Sequence, residues 1–289
     1  MRLIKRTEIE KPCEVFNLHI STDHNYIVEG TVVANCHTAK ASALRELLTG
    51  SMAKLPIRWG LTGTIPKDPG DAMSLSCSIG KVVGQLNASD LQEQGVLANC
   101  HVNIVQLVDH AEYKDYQSEL KYLTETTGRI AFVAKLIDAI KEGGNTLILV
   151  DRIATGKLLQ VELSTLFTLL SDKPDVVFVS GSTKSKSRKE EYADIATSNN
   201  KVLIATYGVA AVGLNIPRIF NLVLFEPGKS FVRVIQSIGR GLRKANDKDH
   251  VNIYDITSTC KFSKRHLSAR KKFYTEAKYN YSSEKKEWK

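Results

Sequence analysis

Residues 146–152, Thr-Leu-Ile-Leu-Val-Asp-Arg, place a continuous apolar run directly before two charged side chains. A run without polar alternation is typical of a strand that is covered on both faces of a parallel sheet. Comparable runs lie at 176–179, 202–205 and 222–225, a further strand is predicted at 251–256, and stretches with helical patterning separate them. Strands that alternate with helices in this way predict a doubly wound α/β domain.

Composition limits the kind of protein. The chain has 289 residues, of which 43% are hydrophobic and 25% charged, as in ordinary globular proteins. It has no run of about 18 apolar residues, so we expect no membrane span and no membrane partner. Its basic first residues lack a following apolar segment, so we expect no secretory signal. Five cysteines without metal-ligand spacing argue against disulfides or a metal site, and we expect a cytoplasmic protein.

The net charge of +9 is concentrated near the end of the sequence. Residues 260–289 hold ten Lys or Arg and three Glu, which amounts to +7. Clustered cations among aromatic residues suit phosphates and stacked bases, so this basic tail is a candidate nucleic-acid contact. A solvated, partly helical tail is the alternative. The candidate residues are Lys264, Arg265, Arg270, Lys271 and Lys272.

Polar residues follow several of the predicted strands. Parallel sheets bind ligands at the carboxyl ends of their strands, so these residues are expected to meet on one edge. They are Asp151 and Arg152, Ser180–Thr183, Thr206 and Glu226. Further on, Arg240 and Arg243 are three residues apart, which predicts a shared helix face. Two planar, permanently charged guanidiniums suit the γ-phosphate of a triphosphate, although a surface helix with two solvated arginines would show the same spacing.

Four segments resemble helicase motifs in order and spacing. Residues 236–243, Gln-Ser-Ile-Gly-Arg-Gly-Leu-Arg, resemble motif VI. Residues 202–206 with 213–217 resemble motif V, and residues 147–152 resemble motif IV. Upstream, Leu61-Thr-Gly-Thr64 resembles motif III. Together they resemble the second RecA-like lobe of superfamily 2 helicases, and in particular the UvsW-type recombination helicases of tailed phages.

The resemblance implies a helicase that uses ATP and Mg²⁺ and acts on branched DNA or RNA–DNA hybrids. In that family the motif VI helix, here with Gln236, Arg240 and Arg243, supplies arginine fingers to the γ-phosphate. The remaining motif residues would contact the nucleotide or nucleic acid, or couple hydrolysis to strand movement. They are Gly213, Leu214 and Asn215 in motif V, Thr62, Gly63 and Thr64 in motif III, and Arg152 and Thr206 as nucleic-acid contacts.

The sequence contains neither a P-loop nor an Asp-Glu pair, which hold the phosphates and magnesium in helicases. Cys36-His37 nevertheless lies about 24 residues before the motif III segment. Motif II in the resembling family can read Asp-Glu-Cys-His, which would make His37 its last residue. Here Ala34-Asn35 precede Cys36 instead. We therefore expect the magnesium ligands on a separately encoded N-terminal half.

Residues 15–36 resemble the C-terminal splicing block of an intein, which ends on Asn followed by Cys, Ser or Thr. The resemblance implies that Cys36 captures the upstream chain, because a thiolate is a good nucleophile. Asn35 would cleave its own C-terminal bond by forming a succinimide, with His24 assisting proton transfer. Ala34 departs from the family, which often has His at that position.

These observations predict four segments and one main function. The segments are a split-intein C-fragment (1–35), the end of a first RecA-like lobe (36–98), a second RecA-like lobe (99–259) and a basic tail (260–289). Trans-splicing to a partner chain that carries an N-intein would complete the helicase. The alternatives are an unspliced nucleic-acid-binding fragment, an inactive intein remnant, and a native β-hairpin in which Asn35-Cys36 is accidental.

Overall fold

A computed structural model describes most of the chain, in two units that are treated separately, Met1–Gln85 and Leu86–Lys289. The described residues are 25–28, 31–35, 42–50, 53–54, 58–61, 68–85, 87–168, 173–183, 185–211, 216 and 218–288. No described helix is both long enough and apolar enough to cross a membrane.

The first unit contains a three-stranded sheet. Its strands are β1 (Asn25–Val28), β2 (Thr31–Asn35) and β3 (Arg58–Leu61), in the order β1-β2-β3. β1 and β2 form an antiparallel hairpin, whereas β2 and β3 run parallel and pair Asn35 with Leu61. Two helices accompany the sheet, α1 (Ser42–Thr49) and α2 (Pro69–Ser78). The hairpin therefore shares a sheet with a strand beyond the predicted splice junction.

The second unit is built on seven parallel strands, which confirms the α/β prediction. They are β4 (Asn99–Leu107), β5 (Thr146–Val150), β6 (Asp175–Val179), β7 (Lys201–Thr206), β8 (Asn221–Phe225), β9 (His250–Ser258) and β10 (Asn280–Lys286). Their order in the sheet is β10-β4-β9-β8-β5-β7-β6. All neighbouring strands run parallel, so the carboxyl ends lie along one edge.

Helices connect these strands and cover both faces of the sheet. They are α3 (Ala88–Glu93), α4 (Tyr116–Glu125), α5 (Thr127–Ile140), α6 (Ile153–Phe167), α7 (Ser185–Thr197), α8 (Tyr207–Ala211), α9 (Phe231–Gly241) and α10 (Lys261–Glu276), and a 3-10 turn covers Lys141–Gly143. One core lies beneath α5 and α6, and the other beneath α9 and α10. Every residue of β5, β7 and β8 is buried, because these strands are covered from both sides. Two-sided burial accounts for the continuous apolar runs in the sequence.

Residues 260–289 do not form a separate tail, which corrects that boundary. α10 buries Ser263, Leu267, Arg270 and Tyr274, which recur at helical spacing on its inner face. β10 then pairs with β4 along its whole length, and it is the edge strand of the sheet. Its sequence, Asn-Tyr-Ser-Ser-Glu-Lys-Lys, has no apolar run because six of its seven residues are exposed. The sequence pattern used for the central strands therefore did not detect it.

Candidate functional site

The carboxyl edge of the sheet holds a buried ionic cluster centred on Arg129 in the first turn of α5. Arg129 is fully buried, and its Nε donates to Asp109 Oδ2 at 3.3 Å. One terminal nitrogen donates to Glu226 Oε1 at 2.8 Å and to the Thr257 carbonyl at 3.3 Å, and the other donates to the Leu123 carbonyl. This one guanidinium thus ties α5 to the ends of β4, β8 and β9.

Asp109 extends the cluster to three more parts of the unit. Its carboxylate accepts from Ser258 Oγ at 2.6 Å, from the Tyr122 hydroxyl at 3.2 Å and from Trp288 Nε1 at 2.9 Å. Burial and the neighbouring Asp109 charge raise the pKa of Tyr122 to about 12, so this hydroxyl stays a donor. β9, α4 and the segment after β10 are therefore joined at one carboxylate.

Glu226 directly follows β8 and adopts the left-handed conformation, with φ of 44°. Its second oxygen accepts from Ser263 Oγ at 2.8 Å. Burial raises the pKa of Glu226, and the adjacent Arg129 charge opposes that shift. A non-glycine residue with positive φ is strained, and here buried hydrogen bonds hold it in place. The loop that leads from β8 to α9 is therefore fixed at its first residue.

A second buried pair holds the same loop further on. Arg270 is 1% exposed and donates to both oxygens of Asp255, at 2.8 and 2.9 Å. It also donates to the Gly228 carbonyl at 2.6 Å, and the Tyr274 hydroxyl donates to Asp255 at 2.8 Å. The expectation that Arg270 contacts nucleic acid is therefore wrong, because its guanidinium is buried and all three of its nitrogens donate to groups inside the protein. Its place on the buried stripe of α10 was the available signal.

α9 begins where this loop ends. Ser230 Oγ accepts from the Arg233 backbone N–H at 3.3 Å and caps the helix. The Arg233 side chain donates to Asp151 at 2.7 Å, and its guanidinium carbon lies 5.1 Å from the centre of the Tyr207 ring. Gly241 lies so close to β8 that an added Cβ would be 3.3 Å from a Leu222 methyl carbon. The helix is therefore anchored at both ends.

Arg243 lies beyond the end of α9. α9 ends at Gly241, and Arg243 forms an isolated antiparallel bridge with Leu97. The prediction that Arg240 and Arg243 share one helix face is wrong for this reason. Arg243 is half-buried, and burial lowers the pKa of its guanidinium. Gln236 is half-buried on α9, and Arg240 is the helical residue before Gly241, with its side chain outside the described part.

The Lys248 side chain contacts the backbone between the end of α9 and Arg243. Its ammonium donates to the Gly241 carbonyl and, at 2.9 Å, to the Arg243 carbonyl. Burial lowers the pKa of Lys248 to about 8. A cation is favourable at the last carbonyls of a helix, where the backbone dipole is negative. Sequence reasoning missed Lys248 because it lies in a polar loop, Asn-Asp-Lys-Asp-His, that looks solvent-exposed.

Residues 128–245 match the family model described as the helicase conserved C-terminal domain. Over these residues the second unit is similar to a helicase C-terminal domain. Over 246 residues the chain is 24% identical to the ATP-dependent DNA helicase uvsW of Enterobacteria phage T4, and the alignment covers 82% of this chain and 47% of that protein. The crystal structure of T4 UvsW shares the fold with a TM-score of 0.55 over 89% of this chain and 54% of that one, at 19% identity.

A second solved structure has the same fold. The fragment of a putative HsdR subunit of a type I restriction enzyme from Vibrio vulnificus YJ016 aligns with a TM-score of 0.70 at 18% identity. The alignment covers 90% of this chain and 48% of that one. The chain spans about half the length of the curated relatives it matches.

The second unit has two of the residues predicted to contact nucleic acid at the carboxyl edge of its sheet. Thr206 is the last residue of β7 and is 8% exposed. Arg152 immediately precedes α6 and donates to Glu125 at 3.0 Å and to the Gln117 side chain at 2.9 Å. Both lie where the sheet topology predicts, although Arg152 already has partners within the domain.

The other predicted residues lie on α10, at the end of β2 or outside the described residues. Lys264, Arg265 and Lys272 lie exposed on α10, and Lys271 is half-buried beside them. Asn35 is the last residue of β2. The remaining predictions lie outside the described residues, namely His24, Cys36, His37, Thr62, Gly63, Thr64, Gly213, Leu214 and Asn215.

Proposed function

We propose that this chain is one half of an ATP-dependent superfamily 2 DNA helicase, completed by trans-splicing between Asn35 and Cys36. The observation that carries the helicase part is the match of residues 128–245 to the helicase C-terminal domain. The partner would be a separately encoded N-terminal half fused to an N-intein. The similarity to a phage DNA helicase supports DNA as the substrate, with branched DNA and RNA–DNA hybrids as the structures remodelled.

The charged side chains that the structure describes are better suited to binding the phosphates of ATP than to binding its Mg²⁺ ion. The four buried carboxylates at or beside the carboxyl edge are each engaged by donors of the domain itself, which leaves them poorly suited as Mg²⁺ ligands. They are Asp109, Glu119, Glu226 and Asp255. By contrast, Arg240 lies in the last turn of the anchored helix α9, and Arg243 follows the helix. The magnesium ligands and the P-loop therefore belong to the partner half.

Bound ATP would supply the phosphoryl group that water attacks, and Mg²⁺ would neutralise part of the phosphate charge. Arg240 and Arg243 would stabilise the charge that develops on the γ-phosphate, as arginine fingers do. Lys248 and the bridge to Leu97 fix the backbone that carries Arg243. A finger held in advance needs little reorganisation when the charge develops, which is the main source of such catalysis.

The splicing step is a set of acyl transfers in which one peptide bond replaces two. The Cys36 thiolate captures the acyl group of the upstream half and displaces the N-intein. The Asn35 side-chain amide nitrogen then attacks its own carbonyl carbon, closes a succinimide and releases the amine of Cys36. His24 assists the proton transfer to that amine. The free amine takes the acyl group from sulfur, and the Asp-Glu-Cys-His sequence is restored.

Mass spectrometry of the protein from its native host tests splicing. Tryptic digestion should yield a peptide that ends Cys36-His-Thr-Ala-Lys40 and begins with residues foreign to this chain that end in Asp-Glu. Asn35→Ala should abolish this peptide, whereas Asn25→Ala on the hairpin should keep it. Recovery of Cys36 only behind Ala34-Asn35 would reject splicing.

The finger assignment has its own test in the joined protein. Arg243→Ala should lower the ATPase rate by about 10³-fold or more, because arginine fingers contribute that much. Lys244→Ala, at the exposed next position, is the matched control and should leave the rate near normal. An Arg243→Ala rate within a few-fold of normal would contradict the assignment.

An unspliced nucleic-acid-binding fragment is the second candidate, favoured by the exposed cations of α10.

A further inference from the structure

The outer face of α10 carries a stripe of solvent-accessible cations. Lys261, Lys264, Arg265 and Lys272 are exposed, and Lys271 is half-buried beside them. Within the described part of the chain none of the five forms an ion pair, whereas Arg152, Arg218 and Arg233 each do. The stripe spans about 16 Å, because Lys261 and Lys272 are separated by 11 helical steps of ~1.5 Å each.

This arrangement is electrostatically costly for the helix. The first turn of α10 contains no acidic residue of its own, and its N-terminus carries the positive end of the backbone dipole, which the single carboxylate of Glu119 caps. Lys261 and Lys264, and Lys261 and Arg265, are like charges at the two spacings that bring helix side chains together. Burial and, after it, the nearby cations Arg270, Lys229 and Arg265 lower the pKa of His266 to about 4. The contribution of these cations fits the positive charge around the ring. A polyanion would offset this cost.

The stripe leads to an open groove of about 370 Å³ between α10 and β10. The groove is lined by Lys271, Lys272, Thr275, Glu276 and Tyr281. Tyr281 is 39% exposed, and its ring centre lies 6.1 Å from that of the fully buried Tyr274. Tyr274 in turn donates to Asp255, so the inner ring is fixed. Tyr281 is thus a supported aromatic surface next to two lysines.

The fold makes the stripe a path across the domain. α10 starts after β9 at the carboxyl edge, where Thr206 and Arg152 also lie, and ends before β10 at the opposite edge. A strand that leaves the carboxyl edge could follow the α10 cations to Tyr281. Cations along a backbone path with an aromatic surface for bases are the features of single-strand binding sites. A duplex keeps its bases stacked and could use only the charges.

We propose that the outer face of α10 and the groove at Tyr281 form a binding site for single-stranded nucleic acid, with phosphates on Lys264 and Lys272 and a base stacked on Tyr281. The site deepens the proposed helicase function, since it adds a path for the strand beyond the motif residues. It does not depend on ATP, on splicing or on the partner chain. Glu276 is the one acidic residue in the lining, so it should weaken binding.

Fluorescence anisotropy of a labelled oligothymidylate with the full, unspliced chain tests the site. Tyr281→Ala should weaken binding about tenfold, and Tyr281→Phe should restore it, because stacking needs the ring and not the hydroxyl. Lys264→Gln with Lys272→Gln should lower the slope of log affinity against log salt by about 1.4, at ~0.7 for each phosphate contact. Glu276→Gln should tighten binding.

The control pair is Lys135→Gln with Lys157→Gln, two exposed lysines on α5 and α6 on the opposite face of the sheet. Equal losses in the control pair and the α10 pair would overturn the site, as would tighter binding of a duplex or an unchanged affinity in Tyr281→Ala. A thermal melt of each variant shows whether β10 has kept its place. If the ATPase of the joined protein still depends on Arg243, loss of the α10 site leaves the helicase assignment standing.

Discussion

Cations on the two faces of α10 differ in their burial and in their partners. On the inner face Arg270 is buried and donates to both oxygens of Asp255, and these contacts keep its pKa above the usual range. Two residues further on, Lys272 is exposed and forms no ion pair among the described residues. The buried cation therefore builds the scaffold, whereas the exposed cation remains available to an anion. Both side chains carry a positive charge, so charge alone does not distinguish the two roles. The partner and the exposure of each side chain distinguish them.

The largest expected effect comes from breaking the inner face. Arg270→Met should lower the free energy of unfolding by about 3–5 kcal/mol, because it leaves Asp255 buried without its cation. Lys272→Met, on the same helix, should change it by less than about 0.5 kcal/mol. Urea unfolding of both variants measures the difference. Losses of similar size would show that the two faces do not differ as described.

Lys248 sharpens the comparison, because it is a buried cation that donates to two backbone carbonyls. Its pKa falls from 10.5 to about 8, so the unfolded chain binds more protons between these two pH values. Stability should therefore rise with pH across that window in the natural chain, by on the order of 1–3 kcal/mol. Lys248→Met should remove the rise, and the exposed control Lys244→Met should keep it.

Unfolding at several pH values from 7 to 11, a range of about four units that brackets both pKa values, provides the measurement. The slope of stability against pH is the quantity to compare, because a general loss of stability in Lys248→Met leaves that slope unaffected. A parallel slope in the natural chain and in Lys248→Met would mean that Lys248 keeps an ordinary pKa in the folded protein.

The sequence was sufficient for most of the sheet but not for β10, one of its two edge strands. The apolar runs at β5, β7 and β8 predicted buried parallel strands, because two-sided burial leaves a signal at every residue. β10 leaves no such signal, because its side chains are exposed and its pairing uses only the backbone. Residues 260–289 were consequently interpreted as a tail.

The site was predictable to the level of motifs and not of geometry. Thr206 and Arg152 lie on the edge that topology predicts, since parallel strands end together. Arg243 departs from the helix because α9 ends at Gly241, and helix ends are weakly determined by local sequence. Arg129 and Glu226 are 97 residues apart in the chain, so no local pattern could pair them.

The cap of α10 tests the link between the two faces. Glu119 is buried, and its carboxylate accepts from the backbone N–H groups of Phe262 and Ser263 at 3.0 and 2.7 Å. Glu119→Gln should destabilise the domain by about 1–2 kcal/mol, because one N–H loses its acceptor and the charge at the helix N-terminus is removed. Glu112→Gln, at an exposed position before α4, is the control. Equal unfolding midpoints for the two variants would contradict the capping role.

The smallest expected effect has the opposite sign and comes from the outer face. Lys264→Glu replaces a cation near the positive end of the α10 dipole, next to Lys261 three residues earlier. Stability should rise by about 0.3–1 kcal/mol, because a repulsion becomes an attraction. Binding of the oligothymidylate should fall in the same variant, since a phosphate contact turns into a repulsion. Lys157→Glu on α6 should leave oligothymidylate binding nearly unchanged. A Lys264→Glu variant that is less stable than the natural chain would contradict the proposed repulsion among the exposed cations. A variant that binds the oligothymidylate as tightly as before would contradict their role in binding an anionic partner.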